Sequence, residues 1–166
     1  MNIETLSLQY GEYQVKNIYD TLFLIFKTGK IFRWSKCGYW KYIHNTAISH
    51  GYNLIGIGKK GNKTMIKRHR LMAYTFLNLD IDNPKMEVDH IDGNRINNHI
   101  NNLRVVNRQQ NQWNRTKAKG YTYVKHLNKY KAQITHDTKV SGLGYYDTEE
   151  EAHQAYLNAK IIYHII

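Results

Sequence analysis

The chain of 166 residues holds a single cysteine, Cys37. That excludes an intrachain disulfide and any zinc site built from cysteines alone. Long apolar runs are also missing, so nothing reads as a membrane-spanning helix. The start, Met1–Tyr10, mixes Asn, Glu and Gln with single apolar residues, unlike a signal peptide. These absences lead to the expectation of a soluble, intracellular protein with no membrane partner and no obligatory protein partner. Proline occurs once, as Pro84. It sits in the polar stretch Asn78–Lys85, which reads as a module boundary. Acidic residues are scarce, with 13 Asp and Glu against 24 Lys and Arg, for a net charge of +11. Such an excess repels itself in the compact state and favours a polyanionic partner. Nucleic acid is the first candidate, because each neutralised phosphate releases counterions. A merely soluble basic surface is the plainer alternative.

Apolar residues make up 42% of the chain, but the set includes 14 tyrosines, which bury a ring and keep a wet hydroxyl. A short chain with so many amphipathic rings should form small sheets with helices laid on them rather than one large dry core. Residues 20–69 read as short strands. Leu22–Phe26 and Ile31–Trp34 flank Thr28-Gly29-Lys30 as a hairpin, and Tyr39–Ile43 follows Gly38. Tyr52–Ile57 and Met65–His69 flank a second Gly-rich turn. A helix from about Arg70 to Leu77 would place Leu71, Tyr74 and Phe76 against a sheet. Further on, Tyr121–Lys125, Tyr130–Thr135 and Val140–Tyr146 read as three strands. Thr148 with Glu151 forms a capping box. The helix that follows carries Ala152, Ala155, Tyr156, Ala159 and Tyr163 at helical spacing.

Gly56-Ile57-Gly58-Lys59-Lys60-Gly61 matches a dinucleotide fingerprint literally. The fingerprint needs a helix opening at the third glycine to meet a pyrophosphate. The residues after it, Asn62-Lys63-Thr64-Met65-Ile66, read instead as a returning strand, so the expectation is a basic hairpin turn.

The most informative stretch runs from Met86 to Asn111. Met86–His90 alternates like a short strand, Asp92-Gly93-Asn94 is a turn, and Leu103–Val106 is a second strand. Asn107 caps a helix running through Asn111 to Arg115, with Gln110 at the box position. Asp89 and Asn111 offer the oxygen ligands that a hard divalent cation prefers. His90 neighbours Asp89, so on a flat strand the two side chains point to opposite faces. The strand must twist or end there for both to reach one phosphate. Residue types alone do not separate a metal site from an ordinary array of turns and caps, since Asn favours both.

The run Val88-Asp89-His90-Ile91-Asp92-Gly93-Asn94, then Asn102-Leu103-Arg104, then Gln110-Asn111-Gln112, resembles the HNH nucleases of the ββα-metal fold, as in phage and intron homing endonucleases. The resemblance implies roles. His90 takes the place of the general base and Asn102 that of the residue orienting its imidazole. Asp89 and Asn111 take the places of ligands to one divalent metal ion, Mg²⁺ or Mn²⁺. Asp92 reads as a turn residue and His99 as a loop residue or phosphate contact.

Residues 120–163 resemble the Apetala and ethylene-response-factor type of DNA-binding domain. The likeness rests on Lys119-Gly120-Tyr121, Tyr130-Lys131-Ala132-Gln133-Ile134, Leu143-Gly144-Tyr145-Tyr146-Asp147-Thr148-Glu149-Glu150-Glu151-Ala152 and Ala155-Tyr156. That family lays a three-stranded sheet in the major groove with its helix behind. Lys125, Lys129 and Lys131 are then the contact candidates. Tyr123 and Tyr130 stand where typical members have Trp, and strand arginines are few, which argues for phosphate contact over base reading. Gly38-Tyr39-Trp40-Lys41 and Lys67-Arg68-His69-Arg70-Leu71-Met72-Ala73 resemble the sheet region preceding HNH cores. Lys67, Arg68 and Arg70 are candidates to hold phosphates beside the cut, as are Arg104, Arg108 and Arg115. Trp34, Trp40 and Trp113 read as core residues.

The expected architecture is a modular α+β chain. A small antiparallel sheet occupies residues 1–80, a ββα-metal core residues 81–116, and a three-stranded antiparallel sheet packed on a helix residues 117–166. The expected function is metal-dependent hydrolysis of double-stranded DNA. The alternative is a DNA-binding regulator whose nuclease core has decayed.

Overall fold

The computed structural model describes residues 2–44, 48–58, 64–114 and 118–164. The chain divides into two compact units, Met1–Asn114 and Arg115–Ile166.

The first unit opens with helix α1 (Ile3–Tyr10), capped by Asn2, whose side chain accepts from the Thr5 N–H. Strands β1 (Tyr13–Ile18), β2 (Thr21–Phe26), β3 (Ile31–Trp34) and β4 (Trp40–Tyr42) form an antiparallel meander in that order. The unbroken apolar run Leu22–Phe26 explains why β2 is internal. Phe23 and Ile25 face one core, while Leu24 and Phe26 face another with Leu6, Phe32 and Trp40. Each such side chain contributes roughly 1.5–3 kcal/mol on burial. A second small sheet joins β5 (Ile48–Ser49), β6 (Tyr52–Ile57) and β7 (Thr64–Lys67). Helix α2 (Arg68–Phe76) follows β7 directly. Strands β8 (Met86–His90) and β9 (Leu103–Asn107) then pair antiparallel, and helix α3 (Arg108–Trp113) closes the unit.

The strand returning after Gly58 is β7, antiparallel to β6. From Thr64 on, the residues after the supposed dinucleotide fingerprint are therefore strand and not helix, and the hairpin turn expected at 59–63 lies outside the described residues. The division expected at residue 80 is not a division of the core. Phe23, Ile25 and Ile31 share one buried cluster with Leu71, Met72, Val88, Ile100 and Leu103. The proline-containing stretch is tied down within it, because Leu79 is only 3% exposed.

Two arginines expected at phosphates are built into this unit instead. Arg68 is 1% exposed and donates to the carbonyls of Gly29 at 3.0 Å and Ile43 at 2.8 Å. It pins α2 to the β2–β3 turn, and burial lowers its pKa. Arg70 donates to the carbonyls of Ile81 at 2.9 Å and Met86 at 3.0 Å, fixing the entry to β8. Gly29 completes the junction. Its φ is +84°, and a Cβ there would meet the Asn98 carbonyl at 2.8 Å.

The second unit is the expected sheet on a helix. Strands β10 (Tyr121–Val124), β11 (Lys129–His136) and β12 (Lys139–Tyr146) are antiparallel, and α4 (Glu149–Tyr163) packs behind them. Thr148 and Glu151 form the capping box read from the sequence. Ala132 and Ile134 face the helix, with Tyr156 and Ala159 buried against them. Alternation therefore leaves Lys129, Lys131 and Gln133 on the open face of β11. Gly120 has φ +74°, and a Cβ there would overlap the Tyr156 ring at 1.9 Å. Only glycine lets the chain enter β10 over that ring.

Candidate active site

The site is built on β8 and α3. Met86-Glu87-Val88-Asp89-His90 alternates, so Val88 and His90 point to the core side and Glu87 and Asp89 to the other. α3 lies on that second side, with an Asn107–Gln110 capping box fixing its start. The box spends two of the helix's free N–H groups locally and sets the direction in which Asn111 and Asn114 project.

Asp89 is 7% exposed. Its Oδ2 accepts from Arg104 Nε at 2.9 Å and Nη2 at 2.8 Å, and its Oδ1 accepts from Asn114 Nδ2 at 3.0 Å. Arg104 is the cross-strand partner of Asp89. This arginine, expected at DNA, is instead the counter-charge of a buried carboxylate. The Asn114 amide also donates to the His90 carbonyl at 2.9 Å, which locks the end of β8 to the end of α3. Asn111 donates to Glu87, not to Asp89. Glu87 with Asn111 and Asp89 with Asn114 thus make two carboxylate–amide pairs between strand and helix. Glu87 and Asn114 were absent from the sequence reading. Their signal was there, in the i, i+2 spacing on the strand and the i, i+3 spacing on the helix.

These carboxylate and amide oxygens suit a hard divalent cation. Among the described residues no group of three His, Cys, Asp or Glu stands close enough to hold a metal, so amide oxygens would have to complete any ligand shell. Mg²⁺ and Ca²⁺ accept such mixed carboxylate and amide donors. A carboxylate oxygen has two acceptor positions, so Asp89 can keep Arg104 and Asn114 and still offer a lone pair.

His90 faces the other way. It is 4% exposed, and its ring lies 5.0 Å from that of His69 at 89° and 6.0 Å from that of Tyr52. Burial lowers its pKa, opposed by the Asn98 side chain and by Asp92 and Asp89. The imidazole is therefore neutral at neutral pH, as a base must be. Its Nε2 and the Oδ1 of buried Asn98 both lack a hydrogen-bond partner in good geometry. Asn98 is held by its amide, which donates to Asn53 Oδ1 at 3.2 Å and to the Ile96 carbonyl at 2.9 Å.

Asn102 does not hold the imidazole. Its amide donates to Asp92 Oδ1 at 2.8 Å and to the Asn97 carbonyl at 2.9 Å, and its Oδ1 accepts from the Asp92 N–H at 3.0 Å. It fastens the turn after His90. Asp92 is a turn residue, as expected: it accepts from the Asn94 N–H at 2.7 Å and Asn97 Nδ2 at 2.8 Å. The Asn97 bond, ahead of the others, holds its carboxyl below the usual carboxylate range. His99 is likewise a loop residue, accepting from the Asn101 N–H at 3.2 Å.

Exposed cations border this centre. Lys67 Nζ lies 4.5 Å from the Tyr52 ring centre, and the Arg95 guanidinium lies 5.0 Å from it. Arg95 also donates to the His50 carbonyl at 2.9 Å, and the sequence reading passed over it. Arg108 is exposed on the first turn of α3. Arg115 lies outside the described residues. In the second unit Lys125 is exposed, Lys131 is half-buried on the open face of the sheet, and Lys129 pairs with Asp147 at 2.9 Å.

Residues 67–113 match the HNH endonuclease family. The matched segment holds α2, the two strands β8 and β9, the Asn-rich turn between them and the capped helix α3. Across 85% of its length the chain is similar to the HNH homing endonuclease I-HmuI, in a structure of that enzyme's DNA binding and cleavage. That match has 26% identity and a TM-score of 0.50, and covers 82% of the I-HmuI chain. Over 65 residues the chain is 46% identical to a putative HNH homing endonuclease derived from the SPbeta prophage of Bacillus subtilis (strain 168), covering 37% of this chain and 35% of that protein. Over 74 residues it is 34% identical to the H-N-H endonuclease F-TflII of Escherichia phage T5, covering 45% of this chain and 38% of the relative. The chain thus spans little more than a third of either curated relative.

Proposed function

We propose that the protein is a metal-dependent endonuclease that hydrolyses phosphodiester bonds in double-stranded DNA. One observation carries this reading: two carboxylate–amide pairs, Glu87 with Asn111 and Asp89 with Asn114, join α3 to the strand that delivers a neutral His90. Asp89 and Asn111 would hold one Mg²⁺ or Mn²⁺, with Glu87 and Asn114 beside them. The bound cation supplies charge neutralisation at the scissile phosphate and at the departing sugar oxygen.

The chain's own residues do the rest. His90 takes a proton from the attacking water. A neutral imidazole carries one ring proton, and its unprotonated nitrogen is the base. His69 and Tyr52 fix the ring plane, and Asn102 holds the turn that ends β8. Lys67, Arg95 and Arg108 position the DNA backbone on either side. Arg68 and Arg70 take no part in this, because both are committed to backbone carbonyls. In the second unit the open face of the sheet, carrying Lys129 and Lys131 with Lys125 at its edge, grips duplex DNA in the manner of an Apetala-type domain. One active site per chain produces nicks or sequential cuts, and the homing role follows the relatives.

Supercoiled plasmid incubated with Mg²⁺, Mn²⁺ or EDTA tests the proposal. Nicking is expected with either metal and not with EDTA, and is lost in His90→Asn with DNA retardation kept. Retarded but uncut DNA under every metal would favour the non-catalytic binder.

A further inference from the structure

The N-terminal meander carries a cleft of 590 Å³ that the proposed reaction does not use. Arg33, Trp34, Lys36, Tyr39 and Lys41 line it, together with Asp20. Arg33 and Lys41 are cross-strand partners on β3 and β4, so two like charges share one face. Directly opposed like charges are unfavourable unless an anion joins them. Among the described residues none of the three cations forms an ion pair, and they outnumber the carboxylate three to one.

Two rings accompany these charges. Trp34 is 45% exposed and Tyr39 46%, whereas Trp40 is buried. Trp34, read from the sequence as a core residue, stands edge-on against Trp40 with ring centres 5.0 Å apart. This contact fixes its orientation, so little entropy is lost when a ligand stacks on it. The turn between the strands is fixed too. Ser35 donates its N–H to the Tyr39 carbonyl at 2.9 Å, and Gly38, at φ +77°, donates to the Ser35 carbonyl at 3.1 Å.

We propose that this cleft binds an unpaired stretch of DNA. Phosphates lie against Arg33, Lys36 and Lys41, and a base stacks on Trp34 or Tyr39. An oriented Trp34 ring and an exposed Tyr39 ring among unpaired cations are the chemistry of single-strand binding. In a duplex each base face is covered by its neighbours, and a ring platform gains nothing. The volume is that of a small-ligand pocket, about 300–1,000 Å³, which suits one or two nucleotides better than a duplex groove. The inference rests on DNA being the substrate and adds a second, separate contact to it.

The test uses the full-length protein in EDTA, where no cutting occurs. The probes are a fluorescein-labelled thymidine octamer, the matching abasic octamer, a uridine RNA octamer and a duplex of equal length. In the Trp34→Ala, Tyr39→Ala double variant, affinity for the thymidine octamer should fall about ten-fold or more, the scale of losing a stacked base. Duplex affinity should not change. Trp34→Phe with Tyr39 intact should keep most of the binding, and Lys41→Gln should lower the single-strand salt slope by about 0.7, one phosphate. Equal losses on duplex and single strand would overturn the proposal. So would abasic binding as tight as thymidine, or preference for the RNA octamer. Plasmid nicking in Mg²⁺ is scored separately. A protein that binds the octamer through Trp34 but cuts nothing defeats the nuclease reading alone. One that cuts while the double variant binds the octamer normally defeats this one alone.

Discussion

Acidification should unfold residues 1–114 through His69. This residue is 5% exposed, with its ring between those of Tyr52 and His90. Burial, reinforced by His90, Lys67 and Arg70, lowers its pKa from 6.5 to about 3. The folded state therefore keeps it neutral over a range in which the unfolded chain binds a proton. Stability is fully present above about pH 6.5 and is lost as the pH falls, until the folded imidazole itself protonates near 3. At pH 4.5, two pH units below the unfolded pKa, the loss is roughly 3 kcal/mol. Urea titration followed by tryptophan fluorescence measures it, because Trp34, Trp40 and Trp113 all lie in the first unit. The comparison is with His69→Gln, which has no proton to take up. Between pH 7 and pH 4.5 the unmodified protein should lose roughly 3 kcal/mol more than the variant. His90 contributes with the same sign in both. Equal losses would refute the assignment of a buried, neutral His69.

Arg68→Gln should cost roughly 2–4 kcal/mol of first-unit stability in the same titration, since it strands two buried carbonyls; the salt dependence of DNA binding should not move. Gly120→Ala should collapse the second unit, seen as rapid proteolysis beyond residue 118 with tryptophan fluorescence unchanged, because the added methyl has no room beside Tyr156. Lys125→Ala and Lys131→Ala should each flatten the salt slope of duplex binding by about 0.9, one phosphate apiece. Lys129→Ala should do less, because that lysine already has Asp147.

Legibility followed periodicity. β8, β9 and α3 were readable because alternation, a turn cluster and an Asn–Gln cap coincide within residues 86–113. Alternation put Asp89 and His90 on opposite faces of a flat strand, with convergence requiring the strand to twist or end there, and β8 ends at His90. The amide partners were not readable. Asn98, not Asn102, approaches the imidazole, and only the path of the 92–102 loop decides which asparagine does so. Arg68 looked like part of a basic run, yet it begins an i, i+3, i+4, i+7 stripe with Leu71, Met72 and Thr75, all buried. That stripe was the missed signal. Helix α1 was missed because Leu6 is its sole buried residue. Strand β1 was missed because its exposed pattern leaves only Ile18 in the core.

Paramagnetic broadening by substoichiometric Mn²⁺ tests the metal-binding claim most directly. In amide and histidine-ring spectra, resonances of residues 87–90 and 111–114 should broaden first, and Asp89→Asn should abolish the effect while leaving the rest of the spectrum in place. Broadening centred elsewhere, or undiminished in Asp89→Asn, would contradict the account.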